Sequence, residues 1–167
     1  MKVLVTVASK HGATAEIGGI VARLLEDAGH EIETKAPQEV TALEGYEAVV
    51  LGSAVYAGRW LEAARAFADR HAAELATRPV WLFSSGPVGD PPKPQDEAPE
   101  ALALASRLGA RGHRTFGGRL EPTQLNFLER TVTKALRAPQ GDFRDWEEVM
   151  SWSQAIASDL GREKVQA

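Results

Sequence analysis

The residues of this 167-residue sequence that are best suited to binding chemistry lie in three short turns. In the first turn, the hydroxyls of Ser9 and Thr14 stand on either side of Gly12, between a β-branched run and a run of helical period. Free N–H groups at a helix start attract an anion, so this turn suits a terminal phosphate. The alternative is a helix start whose hydroxyls cap only the helix itself. The first turn consists of Ser9, Lys10, His11, Gly12, Ala13 and Thr14.

The second turn brings two aromatic side chains to the end of an apolar run. A flat apolar ligand could lie against Tyr56 or Trp60, while nearby peptide groups reach the polar edge of the ligand. The alternative is that Trp60 packs at the start of the following helix. The second turn runs from Ser53 to Trp60, and its candidate binding residues are Ser53, Ala54, Val55, Tyr56, Ala57 and Gly58.

The third turn is rich in glycine and follows another apolar run. Its small hydroxyls and its N–H groups would hold the other edge of a planar ring, or the segment is a plain surface turn. The third turn consists of Ser84, Ser85, Gly86, Pro87, Val88 and Gly89.

The remaining titratable residues show no pattern of a catalytic or metal site. The four histidines are scattered: His11 could face a phosphate, His71 lies on an apolar helical stripe, and His30 and His113 precede or begin strands and are expected at the surface. Adjacent carboxylates such as Glu147 and Glu148 diverge on a helix and have no histidine at metal-ligand spacing. We therefore expect no catalytic acid, base or nucleophile and no metal site.

Alternating elements must position the three turns. Apolar runs predict strands at residues 3–8, 31–34, 47–51, 79–83 and 112–116. Helical periodicity predicts helices at 13–28, 61–75, 101–108 and 142–160, with a partly helical segment at 121–136 and an irregular proline-rich loop at 88–99. This alternation is typical of a doubly wound, five-stranded parallel sheet with helices on both faces. No linker or repeat divides residues 1–167, so we expect one α/β domain.

Composition excludes several classes of function. Hydrophobic residues make up 44% and charged residues 25%, as in globular rather than disordered chains. The net charge of -4 does not favour a nucleic-acid partner. The absence of cysteine excludes disulfides, thiolate nucleophiles and iron–sulfur clusters, and it fits a cytoplasmic protein. The most apolar stretch, residues 48–58, is too short to span a membrane.

The three turns follow strands whose carboxyl ends should meet where ligands bind in doubly wound sheets. The Ser-x-x-Gly-x-Thr pattern of the first turn looks like the FMN-phosphate loop of flavodoxins. The whole chain resembles the flavodoxin-domain branch that includes bacterial menaquinone-dependent protoporphyrinogen oxidase. The residues that carry this resemblance are 9–17, 51–58, 82–84, 116–120 and 141–149, of which Asp145-Trp146-Glu147 is the most distinctive part.

The resemblance implies noncovalent FMN, with its phosphate on the first turn and its isoalloxazine between the second and third turns. It also implies an oxidoreductase that takes electrons from an organic substrate and passes them to a quinone or another acceptor. Two alternatives stay open. One is a flavodoxin-type electron carrier that serves a redox protein partner, and the other is a cofactor-free interaction module with the same fold. The sequence leaves the natural substrate and the oligomeric state open.

Overall fold

Five parallel strands form the centre of the protein. The structure is a computed structural model that describes residues 1–86 and 97–166, with side chains up to residue 163. The strands, in chain order, are β1 (Lys2–Ala8), β2 (Glu31–Lys35), β3 (Ala48–Tyr56), β4 (Arg59–Trp60), β5 (Val80–Ser85) and β6 (Gly112–Phe116). The parallel strands lie in the order β2-β1-β3-β5-β6, and the short β4 pairs antiparallel with β3. The predicted five-stranded parallel sheet is confirmed.

Helices cover both faces of this sheet, as predicted. They are α1 (Ala13–Asp27), α2 (Glu62–Arg70), α3 (Ala72–Leu75), α4 (Pro99–Leu108), α5 (Phe127–Ala135) and α6 (Trp146–Gln166). Helices α1 and α6 pack together on one face, and α2, α3 and α4 lie on the other. The predicted second helix is divided at His71, whose backbone leaves the helical conformation.

Successive side chains of each strand point to opposite faces of the sheet. Leu4 of β1 and Leu51 of β3 belong to the core under α2 and α4, whereas Val5 and Val50 belong to the core under α1 and α6. Both faces are therefore apolar, which explains why β1, β3 and β5 read as nearly continuous apolar runs. This arrangement fixes the carboxyl ends of β1, β3 and β5 side by side.

The segment between β6 and α6 forms a small hairpin that carries α5. Strands β7 (Arg119–Leu120) and β8 (Gly141–Asp142) pair antiparallel, and a capping box at Asn126 starts α5. The prediction of a partly helical segment at residues 121–136 is thus confirmed. The outer side of α5 is apolar and exposed, with Phe127 at 86%.

Two predictions about histidines are wrong. Both His30 and the side chain of His113 are buried rather than at the surface. His113 lies on β6 with its ring directed to Ser84 of β5, because α4 covers that face of the edge strand. The expectation for His71 is confirmed, since its buried ring packs against Phe67 with ring centroids 5.0 Å apart.

In the part of the chain that the structure describes, no helix is both long enough and apolar enough to cross a membrane. The prediction of an irregular loop at 88–99 falls almost entirely outside the described residues, and α4 begins at Pro99.

Candidate functional site

The first turn presents a row of free N–H groups at the start of α1. Gly12 is the N-cap residue, with φ +84°, and the first helical hydrogen bond runs from the N–H of Glu16 to the carbonyl of Gly12. The N–H groups of residues 10–15 donate to no acceptor within the described parts of the chain. The partial positive charge of the helix N-terminus adds to these donors. The turn therefore has the geometry of an anion site.

The two hydroxyls of the first turn are available as well. Thr14 is 3% exposed, and neither its hydroxyl nor that of Ser9 makes a hydrogen bond to another described residue. Thr14 does not cap α1, so the purely structural interpretation of this turn finds no support in the side-chain contacts. A phosphate oxygen would satisfy these hydroxyls together with the N–H groups.

The side chains of Lys10 and His11 meet Glu129 of α5. The Lys10 ammonium forms an ion pair with this carboxylate, and Nε2 of His11 lies 3.3 Å from Glu129 Oε2. The Lys10 ammonium also lies 5.8 Å from the centre of the Tyr56 ring. The hydrogen bond from Lys10 lowers the pKa of Glu129 to about 2, and the N–H of Asn126 contributes. Glu129 thus joins α5 to the first turn, 118 residues away in sequence.

Glu129→Gln is expected to lower the free energy of unfolding near neutral pH by about 1 kcal/mol, because Gln keeps the capping box but loses the ion pair. The folded-state pKa of Glu129 is depressed, so its contribution is present above the ordinary value of 4.5 and is lost as pH falls toward about 2. The difference between parent and variant should therefore shrink over that range in chemical unfolding measured against pH. Glu44→Gln, at an exposed position away from the turns, is the control. A difference that stays constant down to pH 2 would contradict the assignment.

The second turn is a continuation of β3 into a tight hairpin rather than an open loop. Val55 pairs with Trp60 and Tyr56 with Arg59, which leaves Ala57 and Gly58 as the two turn residues. Their φ angles are +49° and +75°. Positive φ at both positions is the geometry of a type I′ hairpin turn. The hairpin places the Tyr56 ring, 39% exposed, beside the first turn.

Ala57→Gly is expected to raise the free energy of unfolding by about 1 kcal/mol, since Ala is strained in the left-handed region and Gly is not. The measurement is chemical unfolding of both proteins. Ala155→Gly, at an exposed helical position of α6, should instead lower stability by a similar amount. Destabilisation by Ala57→Gly would show that the turn residue is not strained.

Ser53 connects the two ends of this hairpin, at Ala54 and at Leu61, by hydrogen bonds. Its hydroxyl donates to the carbonyl of Ala54 at 2.8 Å and accepts from the N–H of Leu61 at 3.0 Å. Trp60 is 2% exposed, and its backbone N–H donates to Glu100 Oε2 at 2.9 Å. The packing interpretation of Trp60 is therefore correct, and Tyr56 is the aromatic residue of this turn that faces solvent.

The third turn lies directly against the second. Ser84 and Ser85 are buried at the end of β5, and the hydroxyl of Ser85 donates to the carbonyl of Gly117 at 3.4 Å. A Cβ at Gly86 would lie 3.0 Å from the Val55 carbonyl oxygen, a tight contact, so glycine favours this close approach. The predicted binding residues Pro87, Val88 and Gly89 lie outside the described residues.

Arg144 supports the first turn by hydrogen bonds to residues at the start of α1. Its side chain is almost fully buried, donates through Nη1 to the carbonyl of Ala13 at 3.1 Å and to Glu16 at 2.7 Å, and pairs with Asp142 at 2.7 Å. The guanidinium lies 4.6 Å from the Trp146 ring centre. Arg144 lowers the pKa of both Glu16 and Asp142. The closing segment of the chain is thereby attached to the first residue of α1.

The structure thus brings the described parts of all three turns to one edge of the sheet. Sequence reasoning identified the turns but missed Glu129, Arg144 and His113. The Asn-x-x-Glu pattern before α5 signals a helix start but gives no information on the partner of Glu129. Among the described residues, no group of three or more acidic or histidine side chains is placed to hold a metal ion. A row of anion-binding N–H groups beside an exposed aromatic ring suits a ligand with a phosphate and a planar ring.

Comparisons with known proteins agree with this geometry. The chain is 22% identical to protoporphyrinogen IX dehydrogenase (quinone) of Escherichia coli strain K12, over 94% of this chain and 95% of the relative. A mutant flavodoxin of Pseudomonas aeruginosa has the same fold, with a TM-score of 0.63, 16% identity and coverage of 96% of this chain and 99% of that chain.

The same fold occurs in rubredoxin oxygen:oxidoreductase of Desulfovibrio gigas, with a TM-score of 0.68 and 14% identity. This match covers 99% of the present chain but spans only 37% of the larger protein. The flavodoxin domain family matches residues 4–146, which is most of the sequence. The chain therefore belongs to the flavodoxin domain family, and FMN is the cofactor that this membership implies.

Proposed function

We propose that this protein is an FMN-dependent oxidoreductase that passes electrons from a substrate of the protoporphyrinogen class to a quinone. The observation that carries the proposal is the row of free N–H groups at residues 10–15 beside the Tyr56 ring. The E. coli relative, a quinone-dependent protoporphyrinogen IX dehydrogenase, supports the choice of substrate and acceptor because the match runs along nearly the whole of both chains.

The residues present fit the cofactor. The N–H groups and hydroxyls of Ser9, Lys10, His11, Gly12, Ala13 and Thr14 would hold the phosphate. The second turn (Ser53, Ala54, Val55, Tyr56, Ala57 and Gly58) and the third turn (Ser84, Ser85, Gly86, Pro87, Val88 and Gly89) would flank the ring. Bound FMN supplies the electron-transfer chemistry, and the protein positions it. The proposal assigns no acid–base step to the described residues beside these turns, because simple electron transfer requires none. Localisation in the cytoplasm and organisation as one domain are parts of the same proposal.

A flavodoxin-type electron carrier is the second candidate. Its support is the fold, which matches a flavodoxin over nearly the full length of both chains. In that case a redox protein partner, not a small organic substrate, would exchange electrons with FMN. The exposed Tyr56 ring leaves the ring site accessible to either kind of reactant.

Reconstitution with FMN followed by an anaerobic turnover assay separates the candidates. The FMN-loaded protein is mixed with protoporphyrinogen IX and menadione, and porphyrin fluorescence is recorded. Porphyrin formation that requires both FMN and the quinone supports the proposal. For each pair of electrons and protons removed from the porphyrinogen, one quinone is reduced to the quinol. No porphyrin, together with reoxidation only by a redox protein, supports the carrier. Failure to bind FMN rejects both and leaves the cofactor-free interaction module.

A further inference from the structure

A chain of polar groups, buried except for its last member Glu97, connects the second turn, the third turn and the edge strand β6. The indole N–H of Trp60 donates to the hydroxyl oxygen of Ser84 at 2.8 Å. The same oxygen lies 2.9 Å from Nε2 of His113. On the other side of the imidazole, Nδ1 lies 3.4 Å from Glu97 Oε1. We call these residues the Trp60–Ser84–His113–Glu97 chain; the anion site and the Arg144 cluster do not include them.

The two hydrogen bonds at Ser84 allow one arrangement of protons. An indole N–H can only donate, so Ser84 accepts from Trp60 and must give its own proton to another acceptor. Nε2 of His113 is that acceptor only when it carries no proton. The imidazole proton then lies on Nδ1, which faces the Glu97 carboxylate. Both hydrogen bonds then run in the same direction, from Trp60 through Ser84 to His113, and Nδ1 faces the Glu97 carboxylate at 3.4 Å without a hydrogen bond.

We propose that neutral His113 is a positioning residue for the cofactor site. It orients the Ser84 hydroxyl, which accepts from Trp60, and so it holds the second turn in place against the third. Trp60 closes the hairpin that carries Tyr56, and Ser84 begins the turn expected at the other edge of the ring. His113 itself touches neither turn's exposed surface, so it acts through Ser84. The inference rests on the proposed binding of FMN at these turns.

Protonation of His113 breaks this arrangement. Two N–H donors would then converge on the Ser84 oxygen, and the Ser84 proton would lose its acceptor. Burial lowers the pKa of His113 below the ordinary value of 6.5, although Glu97 acts in the opposite direction. The other charged groups at the Trp60 end are Glu100, Arg59 and Arg65, and Glu100 pairs with both arginines. Glu97 is the described carboxylate that contacts the imidazole, at 3.4 Å.

Nuclear magnetic resonance of the protein without FMN tests the chain directly. With nitrogen-15 labelling, we expect the Nδ1–H tautomer of His113 near pH 7.5. We also expect the indole N–H signal of Trp60 to shift with the same midpoint, below pH 6.5, at which His113 titrates. An Nε2–H tautomer, or a Trp60 indole signal that does not shift as His113 is protonated, would overturn the proposal whether or not FMN binds.

Affinity for FMN at pH 7.5 and at a pH below the His113 midpoint found by nuclear magnetic resonance then tests the functional link. In His113→Gln, the side-chain oxygen can still accept from Ser84 but does not titrate, so affinity at pH 7.5 should stay within about twofold of the parent. The parent should lose about three- to tenfold more affinity on acidification than this variant, the effect of disturbing one buried hydrogen bond. Effects of acid on the FMN phosphate and on the rest of the binding site are common to both proteins and cancel in the comparison.

Two further variants complete the design. His71→Gln removes another buried histidine, away from the turns, and should keep the full acid response of the parent. Ser84→Ala should bind FMN more weakly than the parent at both pH values and should show the smaller acid response of His113→Gln. Equal acid responses in the parent and His113→Gln would refute the positioning role. If the parent binds no FMN at either pH, the proposed function fails, and the resonance experiment alone decides on the chain.

Discussion

Thr14→Val is expected to raise the dissociation constant for FMN by about 10- to 100-fold and to leave that for riboflavin unchanged. The substitution keeps the shape of a 3% exposed side chain and removes a hydroxyl that has no partner among the described residues. A hydrogen bond to a charged group contributes about 1.5–3 kcal/mol, which corresponds to that range of affinity. Riboflavin lacks the phosphate, so it should not sense the change.

Fluorescence titration of both flavins against the parent, Thr14→Val and Thr34→Val measures this effect. Thr34 is exposed on the edge strand β2, so its substitution should change neither affinity. Equal weakening of FMN and riboflavin by Thr14→Val would mean that the variant disturbs the ring site or the fold. An unchanged affinity for FMN would place the phosphate elsewhere than the first turn.

The sheet and the three turns could be predicted because their signals are local. A strand buried on both faces is an apolar run, and the turn after it begins where the run ends. The end of β3 was less predictable: the apolar run stops at Gly52, yet the strand continues to Tyr56. Gly52 lies against the Phe83 ring, and Ser53 and Ala54 remain paired with β5. Pairing with a neighbour, not local composition, determines this boundary.

The supporting residues could not be predicted because their partners are distant in sequence. Glu129 and Arg144 meet the start of α1 across more than a hundred residues, and no periodicity encodes how the closing segment folds back. His113 was expected at the surface because it stands at the start of the least apolar of the predicted core strands. Strand alternation puts His113 and Phe116 on opposite faces of β6, and helices cover both. Local polarity misleads on an edge strand that is covered in this way.

The attachment of the closing segment to α1 depends on Arg144, and this dependence leads to the largest expected loss of stability. Arg144→Met should lower the free energy of unfolding by about 3 kcal/mol, because it leaves two carboxylates and the Ala13 carbonyl without their shared donor. Arg144→Lys should recover only part of this loss, since an ammonium cannot pair with Asp142 through two parallel hydrogen bonds. Arg162→Met, which removes an exposed ion pair within α6, should cost less than about 0.5 kcal/mol.

The pH dependence of this loss distinguishes lost ion pairing from lost packing on Trp146. Arg144 depresses the pKa of Glu16 and of Asp142, so their contributions are present above the ordinary values of 4.5 and 3.8 and disappear as pH falls below them. Chemical unfolding of the parent and Arg144→Met should therefore show a difference that narrows below about pH 4. A difference that persists in acid would assign the stabilisation to packing of the guanidinium on the Trp146 ring.

Arg144 also donates a hydrogen bond to the carbonyl of Ala13, the first residue of α1. The ion pairs that hold Arg144 in place would therefore maintain the anion site as well. Arg144→Met should consequently weaken FMN binding more than riboflavin binding.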